Sequence, residues 1–421
     1  MFWFCSQKVL SFGGSTKRGI DTGVRGLIEL IGVMVAFAII FPLTLKKMNL
    51  GFVLLLASVI IGVTAGLGPE GFLNVARETV TDYTTYELIF SVALISALGN
   101  CLKETGLMTS LIENLRGFCS SRFLIALIPA IFGLLPMPGG ALMSAPFNDG
   151  EASRLGLNAE EKTYVNVWFR HVWFFASPVS STTILISRLA GVNLYQFLLV
   201  LFPLFFISAF VGYLFSLRRL KSPPNTHCKP SYSTLVKGLG PIVLAIVLNI
   251  VGVPLPLAIL VGVFLVLLEG QIGLRNSLMA VRRGIHMDVL TALAGVMFFR
   301  YMIYDSGSVT QVFSGLKQVG VPLLLLATVF PLLIGFISGT PQSGIGIGVP
   351  LILPLFTSPS TLVLGLIYLS IVIGYLISPL HLCLLLTNSY YKSGLGKVYR
   401  TLVPSVLVLY AIGLPFFILR I

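Results

Sequence analysis

The chain has 421 residues, with 28 Lys or Arg against 15 Asp or Glu and a formal charge of +13. Only 10% of its residues are charged and 56% are hydrophobic, whereas a soluble domain carries about 25% charged residues. This excludes a soluble enzyme, a disordered chain and a nucleic-acid binder, because a globular surface needs more polar groups than this chain has.

The first 26 residues hold no sustained apolar run and end in a Gly-rich basic stretch. They lack the apolar core of a signal peptide and read as an N-terminal tail outside the fold. A bilayer-crossing helix needs about 20 mostly apolar residues. Apolar blocks follow at 27–45, 50–68, 86–102, 123–147, 163–188, 194–217, 235–252, 254–269, 289–304, 320–356, 361–388 and 401–420. Block 123–147 contains Pro129, Gly133, Pro136, Pro138, Gly139, Gly140 and Pro146. Block 320–356 contains Pro331, Gly335, Gly339, Pro341, Gly344, Gly346, Gly348, Pro350 and Pro354. Such breakers are incompatible with an unbroken lipid-facing helix, so each block reads as a re-entrant hairpin with its tip buried in protein. Blocks 163–188 and 361–388 carry Ser177-Pro178 and Ser378-Pro379 and read as helices broken in mid-membrane.

The two halves keep one register. Pro129 and Gly133 match Pro331 and Gly335 at an offset of 202, and the Ser-Pro pairs match at 201. LKETGL at 102–107 corresponds to IYDSGS at 303–308. This predicts two repeats, 27–217 and 235–421, joined by a basic linker at 218–234. Arg218, Arg219, Lys221, Lys229 and Lys237 make the segment 218–237, which includes that linker, cytoplasmic, and Arg275, Arg282 and Arg283 do the same for 270–288. Five spans and one hairpin per half then invert the second half. The expected fold is an all-α polytopic membrane protein of about ten transmembrane helices plus two re-entrant hairpins in two inverted-topology repeats.

Interrupted helices leave free N–H groups and positive dipole ends, which suit anions. The candidate substrate-binding residues are therefore Pro138, Gly139 and Gly140 at the first tip and Gly339, Thr340, Gln342 and Ser343 at the second. Ser177, Ser180, Ser181 and Thr182 join them from the first break, and Ser378 from the second. Arg170 lies roughly 10–12 Å into its helix from Thr163. A charge at that depth is a functional candidate, fit to pair with a carboxylate in bidentate fashion. Asn166, one turn earlier, is placed to orient it. His171 and His381 are candidates for a coupling ion or proton. The five cysteines form no CxxC pair and the four histidines are scattered, so no metal site and no cofactor beyond coupling Na⁺ or H⁺ is expected.

LLPMPGGALMSAP followed by NVWFRHVWFF resembles the uncharacterised prokaryotic membrane family called domain of unknown function 401, over about residues 27–421. The paired hairpins and Ser-Pro breaks also look like the ion transporter superfamily of gluconate permeases and sodium–dicarboxylate symporters. That resemblance implies a scaffold, a mobile transport domain, often a homodimer joined through scaffolds, and an anionic organic substrate with Na⁺ or H⁺ coupling. The Ser-Asn-Thr tips of the dicarboxylate symporters are absent, so their sodium sites do not carry over. The expected function is a multi-pass secondary transporter of the cell membrane for a small organic anion. A channel on the same repeats is the alternative. An intramembrane enzyme ranks third, since GxSxG, HExxH and paired intramembrane carboxylates are all missing.

Overall fold

The computed structural model describes residues 22–46, 48–134, 140–221, 231–307, 320, 322–356 and 360–421. All regular structure among them is helical. The first half comprises α1 (Thr22–Leu45), α2 (Leu50–Thr64), α3 (Pro69–Thr81), α4 (Tyr83–Glu104), α5 (Leu107–Phe118), α6 (Ser121–Leu134), α7 (Gly140–Arg154), α8 (Ala159–His171), α9 (Ser181–Ala190) and α10 (Leu194–Gly212). The second comprises α11 (Tyr232–Ile250), α12 (Leu255–Gly270), α13 (Leu274–Gly284), α14 (Met287–Ser306), α15 (Leu323–Ser338), α16 (Pro341–Ile352), α17 (Thr361–Ile377), α18 (Leu382–Tyr391) and α19 (Leu395–Ile418). Helix α1 begins at Thr22, inside the stretch expected to be tail.

Six stretches are long and apolar enough to cross a bilayer: Tyr83–Glu104, Leu194–Leu217, Tyr232–Ile250, Met287–Ser306, Thr361–Tyr391 and Leu395–Ile418. The protein is thus a multi-pass membrane protein. Helix α2 has 15 residues and α12 has 16. At about 1.5 Å per residue each falls short of the roughly 30 Å core. The expected ten full-length spans are therefore met by six among the described residues. Lipid-facing sides are apolar: Leu199, Phe202, Phe206 and Phe210 form an exposed stripe along α10. By contrast every residue of α17 from Val363 to Leu376 is buried, which fits a helix apolar on all sides.

Local chemistry sets the helix ends. The Asp82 carboxylate accepts from the N–H groups of Thr84 and Thr85 at 3.0 and 3.2 Å to start α4. Asn158 and Glu161 form a reciprocal capping box at the start of α8. The Glu160 carboxyl accepts from Gly394 N–H at 3.2 Å, tying the start of α8 to that of α19. Backbone hydrogen bonds, with help from Lys397, hold this carboxyl below the usual carboxylate range.

The two breaker-rich blocks form pairs of short helices. Arms α6 and α7 pack side by side, as do α15 and α16, and α16 has only 12 residues. Helices α1–α5 pack with α11–α14, chiefly through α2–α14, α4–α12, α4–α13 and α3–α14. Helices α6–α10 pack with α15–α19, chiefly through α9–α16, α8–α18, α7–α18 and α8–α19. Contacts between the two groups run through α14–α16, α4–α9, α1–α15 and α5–α6. Within the second group, α15 to α19 each start 201 or 202 residues after α6 to α10.

Two close approaches fix that second group. A Cβ on Gly133 would collide with the Arg170 carbonyl, and a Cβ on Gly335 would collide with the Ile371 carbonyl. Backbone cannot give way as a flexible side chain can. Gly335→Ala should therefore destabilise the protein by about 1–3 kcal/mol. Gly348, whose added Cβ would sit 3.6 Å from Ile334, has room. Gly348→Ala should be neutral or stabilise by up to about 1 kcal/mol. Melting temperatures of the two detergent-solubilised variants test this pair; equal effects would refute the packing argument.

Candidate functional site

The two hairpins and two broken helices interlock crosswise. Arm α7 of the first hairpin packs on α18, and arm α16 of the second packs on α9. Helix α8 ends at His171, tightens to a 3₁₀ turn over Val172–Phe175 and resumes only at Ser181. Across this gap the Thr183 hydroxyl donates to the carbonyls of Ser177 and Ser180 at 2.8 and 3.0 Å. The Ser180 and Thr182 hydroxyls lie 2.7 Å apart, and Thr182 meets the Tyr368 hydroxyl at 3.0 Å. Tyr368 in turn donates to the Phe174 carbonyl at 2.8 Å. In the second break, Ser378 donates to the Phe336 carbonyl and accepts from Leu380 N–H. These bonds occupy backbone groups that a bilayer would leave unsatisfied.

A cavity of about 200 Å³ lies at the crossing. Arg170, His171, Ser180, Ser181, Thr182, Gly339, Thr340 and Gln342 all line it, as the sequence suggested. Val92, Phe174, Val289 and Leu382 supply an apolar part of the wall. Ser96, Tyr375 and Cys383 also line it and were missed, because nothing in their local sequence marks them. No acidic side chain among the described residues lines this cavity.

Other expectations are corrected by the packing. Ser177 and Ser378 are fully buried away from the cavity, where Ser378 braces backbone. Gly140 serves the guanidinium rather than a ligand: an added Cβ would stand 2.5 Å from Arg170 Nη2. Ser343 accepts from the Thr340 hydroxyl at 2.6 Å and lines a neighbouring cavity instead. Asn166 bonds Ala141, Ser144 and Thr387, joining α7, α8 and α18 rather than orienting Arg170. Pro138 and Gly139 lie outside the described residues.

Arg170 is 7% exposed, and its Nη1 donates to the Phe132 carbonyl at 2.7 Å near the end of α6. Its guanidinium therefore touches both arms of the first hairpin and the cavity at once. The position 201 residues later is Ile371, a buried apolar residue. The charge belongs to one half only.

The histidines that look scattered in sequence meet here. The rings of His171 and His381 are 4.8 Å apart, and Tyr375 lies 4.1 Å from His381. His171 Nδ1 is 2.6 Å from the Val167 carbonyl. A carbonyl only accepts, so Nδ1 carries a proton and neutral His171 presents its Nε2 lone pair. That Nε2 is 3.1 Å from the Tyr375 hydroxyl. His381 is fully buried and neither ring nitrogen has a hydrogen-bond partner of good geometry. With Cys383, these two histidines place three donor atoms within 4.8 Å of one another. Their spacing in the chain gives no sign of this grouping, and no metal site is expected there.

A second cavity of about 460 Å³ adjoins the first and shares Val289, Thr340, Gln342 and Leu382 with it. It extends to Met48, Asn49 and Asp288 at the starts of α2 and α14. Between the cavities, Gln342 Nε2 donates to the Ser181 hydroxyl at 3.0 Å. Near the start of α4, Glu87 pairs with Arg188 of α9 at 2.6 Å, bridging the two helix groups.

Comparison with known proteins agrees with this architecture. Among curated proteins no relative matches the chain. Among solved structures it is similar to the YdaH transporter of Alcanivorax borkumensis, whose crystal structure is described as revealing an unusual topology. The TM-score is 0.62 at 15% identity, over 94% of this chain and 97% of that one, a likeness of fold. Residues 27–419 match the family described as protein of unknown function, DUF401, and the chain belongs to that family.

Proposed function

We propose that the protein is a secondary transporter of the cell membrane for a small organic anion such as a carboxylate, coupled to Na⁺ or H⁺. The observation that carries this reading is the buried Arg170 guanidinium. It faces a hydroxyl-lined cavity with no acid among the described lining residues. A planar guanidinium is matched to a carboxylate, and hydroxyls orient the anion without adding a desolvated charge. The Nε2 lone pair of His171 offers an acceptor for a coupling cation or proton. The fold shared with a protein named as a transporter supports the same class.

In this reading the chain is two inverted-topology repeats, 27–217 and 235–421, around the linker at 218–234. The matched helix starts and the paired Gly133 and Gly335 contacts support the repeat. The group α6–α10 with α15–α19 is the mobile transport domain. The group α1–α5 with α11–α14 is the scaffold through which a homodimer forms. With the basic linkers inside, the larger cavity opens toward the cytoplasm at Asn49 and Asp288. The Glu87–Arg188 pair then closes the opposite side. Alternating access exchanges these two states.

The test is counterflow of a labelled carboxylate into liposomes holding the purified protein. Arg170→Ala should abolish counterflow. Since Arg170 also braces the Phe132 carbonyl, retention of folding is checked by melting. A folded Arg170→Ala variant with unchanged counterflow would remove Arg170 from the site. Currents far above carrier turnover, without counterflow, would mean a channel.

Gly140→Ala should displace the guanidinium while keeping its charge. We expect apparent affinity to fall by on the order of tenfold, with maximal rate less affected. Unaltered affinity would show that the guanidinium position is not critical.

A further inference from the structure

We infer that His171, His381 and Cys383 form a binding site for a borderline d-block cation, Zn²⁺ being the representative. The inference rests on the side chains at the crossing of the two breaks; it shares His171 with the transport reading but is tested independently of it.

Four observations support it. First, the donor set is two imidazoles and one thiol, which suits Zn²⁺ and its neighbours and not Na⁺, Mg²⁺ or Ca²⁺. Second, the three donor atoms already lie within 4.8 Å of one another. Zinc–ligand lengths of about 2.0–2.3 Å in a tetrahedron ask for separations of about 3.3–3.6 Å. Contraction of roughly 1 Å closes the gap through side-chain rotation. Third, the hydrogen bond from His171 Nδ1–H to the Val167 carbonyl fixes the tautomer that ligates through Nε2. Metal-binding histidines are held this way by outer hydrogen bonds. Fourth, His381 is fully buried, and its ring meets the Leu376 backbone without good hydrogen-bond geometry. A poorly bonded buried polar group costs stability, and a cation would supply a better partner.

Zn²⁺ displaces the Cys383 thiol proton to solvent, and the resulting thiolate offsets one of the two charges of the ion; an anion in the fourth position would offset the other. The fourth coordination position faces the 200 Å³ cavity, since His171, Tyr375 and Cys383 line it. Water or an anion would complete a four-coordinate ion there. The site joins the end of α8 to the start of α18. A bound ion would tie the first break to the second.

The full-length detergent-solubilised protein is stripped with chelator, loaded with Zn²⁺ or Co²⁺, and desalted. About one zinc per chain should be retained and should raise the melting temperature. Co²⁺ should give intense tetrahedral visible bands and a thiolate-to-cobalt charge-transfer band in the near ultraviolet. Cys383→Ser should remove the charge-transfer band, and His381→Phe should weaken zinc retention by at least about tenfold. If His381→Phe does not fold, Cys383→Ser decides. A parent protein that retains no zinc while folded, or a cobalt spectrum unchanged in Cys383→Ser, overturns the proposal. A folded parent protein that retains no zinc yet shows counterflow overturns the metal site alone. Zinc retention without counterflow overturns the transport reading alone.

Discussion

A backbone interrupted inside a bilayer has no water to bond, so the protein must supply every partner itself. Most of this architecture answers that demand. Thr183 covers the carbonyls of Ser177 and Ser180, Tyr368 covers Phe174, and Ser378 covers Phe336. Tyr368 and the Phe336 carbonyl come from elements distant in sequence, so these breaks depend on a closely packed bundle. Helix α17, buried along nearly its whole length, is the post around which that bundle forms. The glycines at 133 and 335 let hairpin backbones reach the broken helices closely enough for the exchange.

The site is a by-product of the same geometry. Two breaks that cross leave hydroxyls and helix starts converging on one small volume. Ser181, Thr340 and Gln342 stand at or beside the first residues of α9 and α16. What gives the volume its charge is an asymmetry. One half carries Arg170 where the other carries Ile371, and one half carries His171 where the other carries Val372. Helices from both halves supply the cavity, and residues present in only one half supply its sign.

Much of this was legible in the residues. Pro and Gly density marked the two blocks that form pairs of short helices, and Ser-Pro marked two places where helices stop, because those residues act on their own backbone. Short helices such as α5 and α13 were not legible as elements, since a span-length criterion passes over them. Ser177 and Ser378 were misread for a related reason. A Ser-Pro pair announces a break without saying whether the hydroxyl faces the cavity or the neighbouring backbone. The meeting of His171 with His381 and Cys383 was invisible because no spacing rule joins residues from opposite halves. It follows from the crossing of the halves, which only the packed fold displays.

Gln342 has a consequence of a kinetic kind. It borders both cavities, and its amide is bonded to Ser181 across the boundary between halves. Under the transport proposal, a solute passing from the larger chamber to the smaller displaces this amide, and a solute able to accept from it replaces the lost bond. Solutes without an acceptor face the full loss, on the order of 1 kcal/mol or more. Under that proposal discrimination begins at entry, before the guanidinium is reached.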